Sequence, residues 1–564
     1  MTPKNGKAAP DRSGAPEDGA LHFLPLGGTG EIGMNFYLYG VDGQWLIVDC
    51  GIAFGDESTP GIDVILPDPD FVENRTDRIA GLVLTHAHED HLGAIQYLWP
   101  RLGCPVYCTP FTAEFLRLKL REVDFGDRVP IKEVPLGGRI ELGPFDVEFV
   151  SMTHSIPEPN ALAIRTRHGT VVHTGDWKLD PDPLIGGVAD VGRLREIGEE
   201  GVLALVCDST NVFEPGVSGS EADVRKALTD VIAAEPNRVA VTCFATNVAR
   251  IQSIAEAAHA NGRHAVLVGR SMWRIWEAAS KTGYLTPPEP FVSEHDAGFL
   301  PRDKVVLICT GSQGEPRAAL SKLARDDHPQ IVLEPGDTVI YSSREIPGNE
   351  KAIGRTQNQL AEMGVKVITP REAPVHVSGH PYRDELIEMY QWMRPQIAVP
   401  MHGERRHLEE HARLARQCQV KTTIVPEDGM MIRLAPGAAE IDGHVTAGRL
   451  ALDGKRLIDL HGDTMRARHR MIWNGAAVAT LVLDRNGKLK ADPQIALMGL
   501  EEGDLMDEAR QVVADRIREE VGRLSADRRV DDEQVREAAR VAVRRAMKDF
   551  HGKRPPTEVH LVRV

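Results

Sequence analysis

The sequence predicts an α/β protein in three parts: strands that end in polar loops, a parallel α/β domain in the middle of the chain, and a small α+β domain at the C-terminal end. Three observations carry this. Between residue 79 and about 220, and again near 400, short apolar runs each stop at a histidine or an aspartate. From 221 to 375 helix-like and strand-like segments alternate, the pattern of a parallel sheet. Beyond 465, two charged amphipathic helices precede a closing strand. A chain of 564 residues suits several such parts at about 150 residues each.

Residues 1–20 are rich in Pro, Gly and charge and lack the apolar core of a secretory signal, so they read as a disordered tail. LHFLPL, MNFYLYG and WLIVDCG, separated by Gly-rich turns, read as three strands within 21–50. Gly28-Thr29-Gly30-Glu31-Ile32-Gly33 matches the dinucleotide fingerprint. That motif needs a helix after it, whereas aromatic Met34–Tyr39 reads as a strand, so the glycines mark a tight turn. IAGLVLT then runs to His86, FDVEFVSMTH to His154, TVVHTGD to Asp176, GVLALVCD to Asp208 and QIAVPMH to His402. Loops at strand ends are free to carry chemistry, so these five ends are expected to gather on one edge.

The parallel α/β part spans 221–375, flanked by 21–220 and 376–464, with 465–564 as the C-terminal domain. In the parallel part, SEADVRKALTDVIAAEP is a helix with Ser220 as N-cap, followed by RVAVTCF, NVARIQSIAEAAHANG, HAVLVG, KVVLICT and DTVIYSS as strand, helix and strands. After His402, ERRHLEEHARLARQC reads as a helix, and strands follow to about 460. Val513, Ile517, Val521 and Leu524 line one face of the first C-terminal helix; Val535, Ala539, Ala542, Ala546 and Phe550 line the second. These stripes cover either a subunit interface or their own domain. Val559–Val564 closes the chain as a strand.

No run approaches the roughly 18 apolar residues of a membrane span. Lys+Arg 66 against Asp+Glu 82 gives a net charge of −16, which argues against a generally basic nucleic-acid coat. Residues 221–375 hold 18 basic and 19 acidic groups, leaving −15 on the remainder, so this middle region is the less repulsive surface for a polyanion. Seven cysteines in so long a chain do not form a disulfide framework. Cys104 and Cys108 make a lone C-x3-C and read as reduced thiols of a cytosolic protein.

The chemistry centres on Thr85-His86-Ala87-His88-Glu89-Asp90-His91. In extended chain, residues two apart point the same way, so His86 and His88 can grip one ion. Asp90 and His91 open the next helix and can face a second. Imidazole and carboxylate donors suit zinc or manganese. His154, Asp176 and His402 are the expected further ligands, each at a strand end, with Asp176 placed to bridge. His173 lies inside its strand and reads as a packed or hydrogen-bonded histidine.

HAHEDH, His154 and TGD with Asp176 resemble the metallo-β-lactamase fold, an αββα sandwich with a dinuclear edge. VCDSTN, FATNVARIQ, CTGSQGEP, IPGNEKAI, HVSGH and PMHGERRHL narrow the resemblance to the β-CASP nucleases, most closely the ribonuclease J family. It runs from about residue 21 to the C-terminus. It implies an inserted β-CASP domain and two divalent ions per subunit, Zn²⁺ with Mn²⁺ or Mg²⁺ as alternatives. His86, His88 and His154 match the ligands of one ion; Asp90, His91 and His402 match those of the other, with Asp176 between. Asp90, Asp208 and His380 match catalytic positions. Thr246, Asn247, His376, Ser378, Gly379 and His380 match the pocket for the RNA 5′ phosphate and nucleotide, with Thr246 where the family more often has Ser.

The resemblance implies 5′→3′ exonuclease and endonuclease action on single-stranded RNA, in rRNA maturation and mRNA decay. It also implies a cytoplasmic homodimer or homotetramer, with RNA-decay partners such as a helicase. Two ions would activate water and polarise a phosphoryl oxygen. His380, oriented by Asp208, would protonate the departing 3′ oxygen or else only bind phosphate. A phosphate pocket one nucleotide from the ions would act as a ruler, favouring a monophosphate over a triphosphate. The alternatives are a β-CASP nuclease acting on DNA, a small-molecule metallohydrolase such as a lactonase or thioesterase, and a scaffold in an RNA-decay assembly.

Overall fold

The structure, a computed structural model, describes residues 19–346 and 348–564. The tail expected over 1–20 therefore lies, up to residue 18, outside the described residues. The chain divides into two compact units: residues up to Ala53 with Leu66–Gly448, and Phe54–Ile65 with Arg449–Val564.

The first unit is built on two facing sheets. One has eight strands in the order Glu440–His444, Met430–Ala435, Leu21–Gly27, Phe36–Val41, Gln44–Val48, Ile79–Val83, Val106–Cys108 and Ile131–Glu133. The other has seven: Arg139–Leu142, Phe145–Ser151, Asn160–Thr166, Gly169–His173, Val202–Asp208, Ile397–Met401 and Thr422–Thr423. Their inner faces share one core. Phe23, Tyr37, Tyr39, Leu46 and Val48 from the first sheet pack with Phe145, Phe149, Leu162, Val206 and Val399 from the second. The outer face of the seven-stranded sheet is covered by helices Val191–Glu200, Arg383–Met393 and Arg405–Gln417 through Leu194, Ile197, Leu386, Met393 and Leu414. Tyr37 and Tyr39 sit in strand Phe36–Val41, so a strand does follow the glycine-rich turn.

The insert forms a six-stranded sheet in the order Val292–Ser293, His264–Val268, Val305–Cys309, Val239–Thr242, Thr338–Tyr341 and Lys366–Ile368. Every pairing in it is parallel, which needs a crossover between strands and accounts for the helices in the sequence. Helix Glu221–Ala234 begins at Ser220, whose hydroxyl accepts from Ala222 N.

In the second unit, a three-stranded sheet runs Gln494–Met498, Ala476–Leu483, Thr557–Arg563. Alternate residues Ala477, Ala479, Leu481 and Leu483 are buried beneath helices Gly503–Gly522 and Asp532–His551. The apolar stripes of the two helices meet there. Val513, Ile517, Val521, Val535, Ala539, Ala542 and Ala546 are all buried, with Leu524 and Phe550 packed against them. The stripes thus serve their own domain. The sequence reading starts this domain at 465; the contacts group hairpin strands Arg449–Asp453 and Arg456–Asp459, and residues 54–65, with it.

Ile517 is fully buried in that core whereas Leu505 on the same helix is 54% exposed. Ile517→Ala is expected to cost about 2–5 kcal/mol and Leu505→Ala within about 0.5 kcal/mol. Amide hydrogen exchange across strand Thr557–Arg563 would read the difference.

Candidate metal centre

The site forms because strand direction brings four loops to one edge. Phe145–Ser151 is antiparallel to Asn160–Thr166, which is antiparallel to Gly169–His173. Val202–Asp208 and Ile397–Met401 then run parallel to Gly169–His173. All four C-terminal ends therefore open the same way, carrying His154, Asp176, Asp208 and His402. Strand Ile79–Val83 of the facing sheet delivers His86 to His91.

Three donor groups result, the third formed by Asp176, Asp208, His380 and His402. Single donor atoms of His86, His88, His154 and Asp176 lie within 4.8 Å of one another, as do those of Asp90, His91, Asp176 and His402. In the first, His88 Nδ1 is 3.1 Å from His86 Nε2 and 3.0 Å from His154 Nε2. His154 Nδ1 donates to the Gly379 carbonyl, so the neutral ring turns the lone pair of Nε2 into the site. In the second, His91 Nδ1 donates to Asp49 Oδ2 at 2.8 Å, leaving Nε2 3.2 Å from Asp176 and 3.6 Å from Asp90. Thr210 donates its hydroxyl proton to Asp208 at 2.7 Å and accepts from His402 Nδ1 at 2.8 Å. His402 Nε2 is then left facing Asp90 Oδ2 at 3.1 Å. Asp176 belongs to all three groups, and its buried Oδ1 makes no hydrogen bond.

The electrostatics ask for a cation. Burial, then the neighbouring imidazoles, hold His86 and His154 well below the usual histidine range. Burial lowers His88 to about 4. These rings are neutral, the form that binds metal. His402 is different: burial would lower it, but Asp176, with Asp208 and Asp90, pushes it up to about 10. His91 is likewise raised against burial, by Asp176, Asp90 and Asp49. Conversely, burial alone would raise the carboxyls of Asp90 and Asp176, yet His91 leads in holding the first low and His402 the second. Protons on His91 and His402 are one answer to buried negative charge. Divalent cations are another, and they leave ring nitrogens free as ligands. The donor set, the neutral imidazoles and the unpaired Asp176 Oδ1 fit two such ions.

His173 stays out of these groups: its Nδ1 meets the Tyr39 hydroxyl at 3.0 Å, and burial lowers it to about 3. Cys104 and Cys108 are buried thiols, the first pushed up to about 12 by burial. Sequence reasoning missed the supports. Asp49 accepts from Thr85 N at 2.8 Å and from the Thr85 hydroxyl at 2.9 Å while holding His91. Asn35 donates to the Asp90 carbonyl at 3.0 Å. One signal was there: WLIVD ends in an aspartate, and the other site strands run to a histidine or an aspartate.

Four family models match the chain. "Ribonuclease J, beta-CASP domain" matches 236–360, "Zn-dependent metallo-hydrolase RNA specificity domain" 364–426, "Metallo-beta-lactamase superfamily" 30–241, and "Ribonuclease J C-terminal domain" 463–564. A ribonuclease J of Sinorhizobium meliloti is 46% identical over 566 aligned residues, covering 100% of both chains. The chain belongs to the ribonuclease J family. The ribonuclease J of Corynebacterium glutamicum is 40% identical, over 87% of this chain and 69% of that one. A crystal structure titled as a protein of unknown function from Enterococcus faecalis V583 shares the fold, with a TM-score of 0.51 at 18% identity, covering 73% of this chain and 100% of that chain. The fold is thus the metallo-β-lactamase sandwich with an inserted β-CASP domain and a C-terminal domain.

Next to these groups, most of the residues expected to seat a phosphate are joined by hydrogen bonds. His380 Nδ1 is 2.8 Å from Asp208 Oδ2, and its ring stacks on His402 with centroids 5.4 Å apart. His380 N donates to Ser378 Oγ at 3.2 Å. Asn211 donates to Ser378 Oγ at 2.7 Å and to the His380 carbonyl at 3.2 Å. Arg250 Nη1 lies 3.4 Å from His376 Nδ1 and also reaches the Val375 carbonyl. Asn247 Oδ1 accepts from Arg250 N at 2.9 Å and so caps helix Val248–Ala260, with Thr246 before it in the loop leaving the centre of the parallel sheet. Gly379 has a second duty: a Cβ there would fall 2.7 Å from His154 Nδ1, so only glycine lets that carbonyl reach the ring. A cavity of about 470 Å³ borders His154, Glu158 and Tyr284, so there is room beside the donors.

Asp49 touches no solvent and orients His91 through one carboxylate oxygen. Asp49→Asn is expected to weaken divalent-metal binding about 10–100-fold, measured by competition with a chromophoric chelator.

Proposed function

We propose that this chain removes nucleotides one at a time from the 5′ end of single-stranded RNA, prefers a 5′ monophosphate, and also cuts RNA internally. The coarser statement follows from the family: the chain is a metal-dependent nuclease that processes RNA. The observation supporting the finer one is the unbroken path from the carboxylate edge to the pocket, through Asp208, His380, Ser378 and Asn211.

In this reading His86, His88 and His154 hold one divalent ion, Asp90, His91 and His402 the other, and Asp176 both. Zn²⁺ is the ion we assign, with Mn²⁺ or Mg²⁺ as substitutes. When bound, such ions supply an activated water and positive charge at a phosphoryl group. The chain's own residues do the rest. Thr246, Asn247, His376, Ser378 and the Gly379 backbone seat the terminal phosphate and fix the first linkage at the edge. His380 takes its orientation from Asp208 through Nδ1, presents Nε2, and gives a proton to the departing 3′ oxygen. The oxygen leaves on the released nucleotide and the phosphate stays on the RNA. Each cut therefore regenerates a 5′ monophosphate, the end the pocket takes. Internal cutting requires only that RNA reach the edge without filling the pocket.

The duties we assign are rRNA maturation and mRNA decay, as a homodimer or homotetramer working with decay partners such as a helicase. No helix among the described residues is long and apolar enough to cross a membrane. Seven unpaired thiols, six of them buried, suit the cytoplasm, the compartment we propose.

The test is a time course on one RNA bearing a 5′ monophosphate, triphosphate or hydroxyl, with Mn²⁺ or Zn²⁺ and a His86→Ala control. Mononucleotides should appear fastest from the monophosphate end and fall at least about 100-fold in the control. Internal fragments alone would leave an endonuclease without the ruler. Cleavage of DNA with RNA left intact would overturn the reading.

A further inference from the structure

Three cations surround the pocket. Burial holds His376 well below the usual imidazole range, and Arg250, Arg344 and Lys178 push it the same way. His376 is thus a neutral ring in a positive field. Two of these cations are already neutralised in the interior. Arg250, fully buried, grips Glu221 at 3.0 and 3.2 Å and donates to the Ser342 carbonyl at 2.7 Å. Lys178, also fully buried, pairs with Asp180 at 2.8 Å and donates to the Gly219 carbonyl at 3.2 Å. Turning either toward a ligand would strand a carboxylate out of water, a strongly unfavourable change.

Arg344 is placed differently. Its side chain is 46% exposed, and its pair with Glu214, at 2.6 Å, lies on the surface, where such pairs hold weakly. Its other arm donates to Asn211 Oδ1 at 2.6 Å, and the Asn211 amide donates to Ser378 Oγ at 2.7 Å. The guanidinium is therefore two hydrogen bonds from the pocket serine. Its backbone is fixed by the buried Gln313, whose amide donates to the Arg344 carbonyl at 2.8 Å. Thr246, Asn247, Ser378 and neutral His376 offer a phosphate hydrogen bonds but no countercharge, and His380 is bound to Asp208.

We infer that Arg344 exchanges Glu214 for the terminal phosphate and sets the preference for a 5′-monophosphorylated end; this rests on the pocket being a 5′-phosphate site. A guanidinium fork matches a phosphate dianion in shape and charge. Glu214 acts as the placeholder that keeps the arginine aimed along the Asn211 arm while the pocket is empty.

The experiment compares wild type, Arg344→Gln, Arg344→Lys and Glu214→Gln as full-length, metal-loaded protein. Two quantities are read: the ratio of kcat/KM for RNA with a 5′ monophosphate over a 5′ hydroxyl, and calorimetric binding of uridine monophosphate against uridine. Arg344→Gln keeps a donor for Asn211 and loses the charge, so both ratios should fall at least about 10-fold. Arg344→Lys should restore part of the loss, and Glu214→Gln should tighten monophosphate binding. A uniform fall for both RNA ends in Arg344→Gln would mean that Arg344 only holds Asn211 and would overturn the inference. So would ratios equal to wild type. If wild type itself fails to distinguish the two ends, the phosphate reading of the pocket falls, and this inference with it.

Discussion

Asp176 lies buried among the rings of His86, His91, His154 and His402, with His380 within 3.9 Å. Much of the sandwich follows from making that arrangement tolerable. A carboxylate so far from water must be met by positive charge. The chain offers either protonated imidazoles or lone pairs that hold cations. Neutral His86, His88 and His154 favour the second on one side, and the elevated His91 and His402 record the same demand on the other. The two sheets place these groups because parallel and antiparallel pairings leave four C-terminal strand ends on one edge.

The supports explain why the donor side chains cannot drift. Asp49 fixes one ring of the HAHEDH loop, Thr210 fixes His402, and the Gly379 carbonyl fixes His154. The last bond has a functional consequence. Gly379 stands between Ser378 and His380, so these residues and the support of His154 share one strip of backbone. The insert is secured to the same strip by interior charge. Asp180, paired with Lys178, accepts from Glu221 N at the start of the insert's first helix, and Glu221 holds Arg250 beneath His376. A shift of the insert would thus move His376 to His380 relative to the edge.

The fold class was legible because its signals are periodic or punctuated. Strands ended in His or Asp, helices in the insert alternated with β-branched runs, and Ser220 marked a helix start. HAHEDH was legible because three imidazoles and two carboxylates in six residues have no packing explanation, and His173 could be set aside because it sits inside a strand. The supports were harder. Thr85, Thr210 and Asn211 act through bonds to residues distant in sequence, and short polar residues in loops carry no pattern. Gly379 was read as an approach to phosphate, and the carbonyl's bond to His154 left no trace in the sequence. Residues 54–65 group with 449–564 through pairings that local periodicity cannot show. The apolar stripes of the last two helices were visible, but which surface they cover was decided only by their packing on each other and on strand Ala476–Leu483.

The most direct test of the account is the number of divalent ions retained per chain by wild type and by Asp176→Ala, measured by elemental analysis after exhaustive dialysis. Two ions in wild type, and one or none after removal of the shared carboxylate, are what the account predicts. A wild-type chain that folds and turns over RNA with no bound ion, or an Asp176→Ala chain that still retains two, would contradict it.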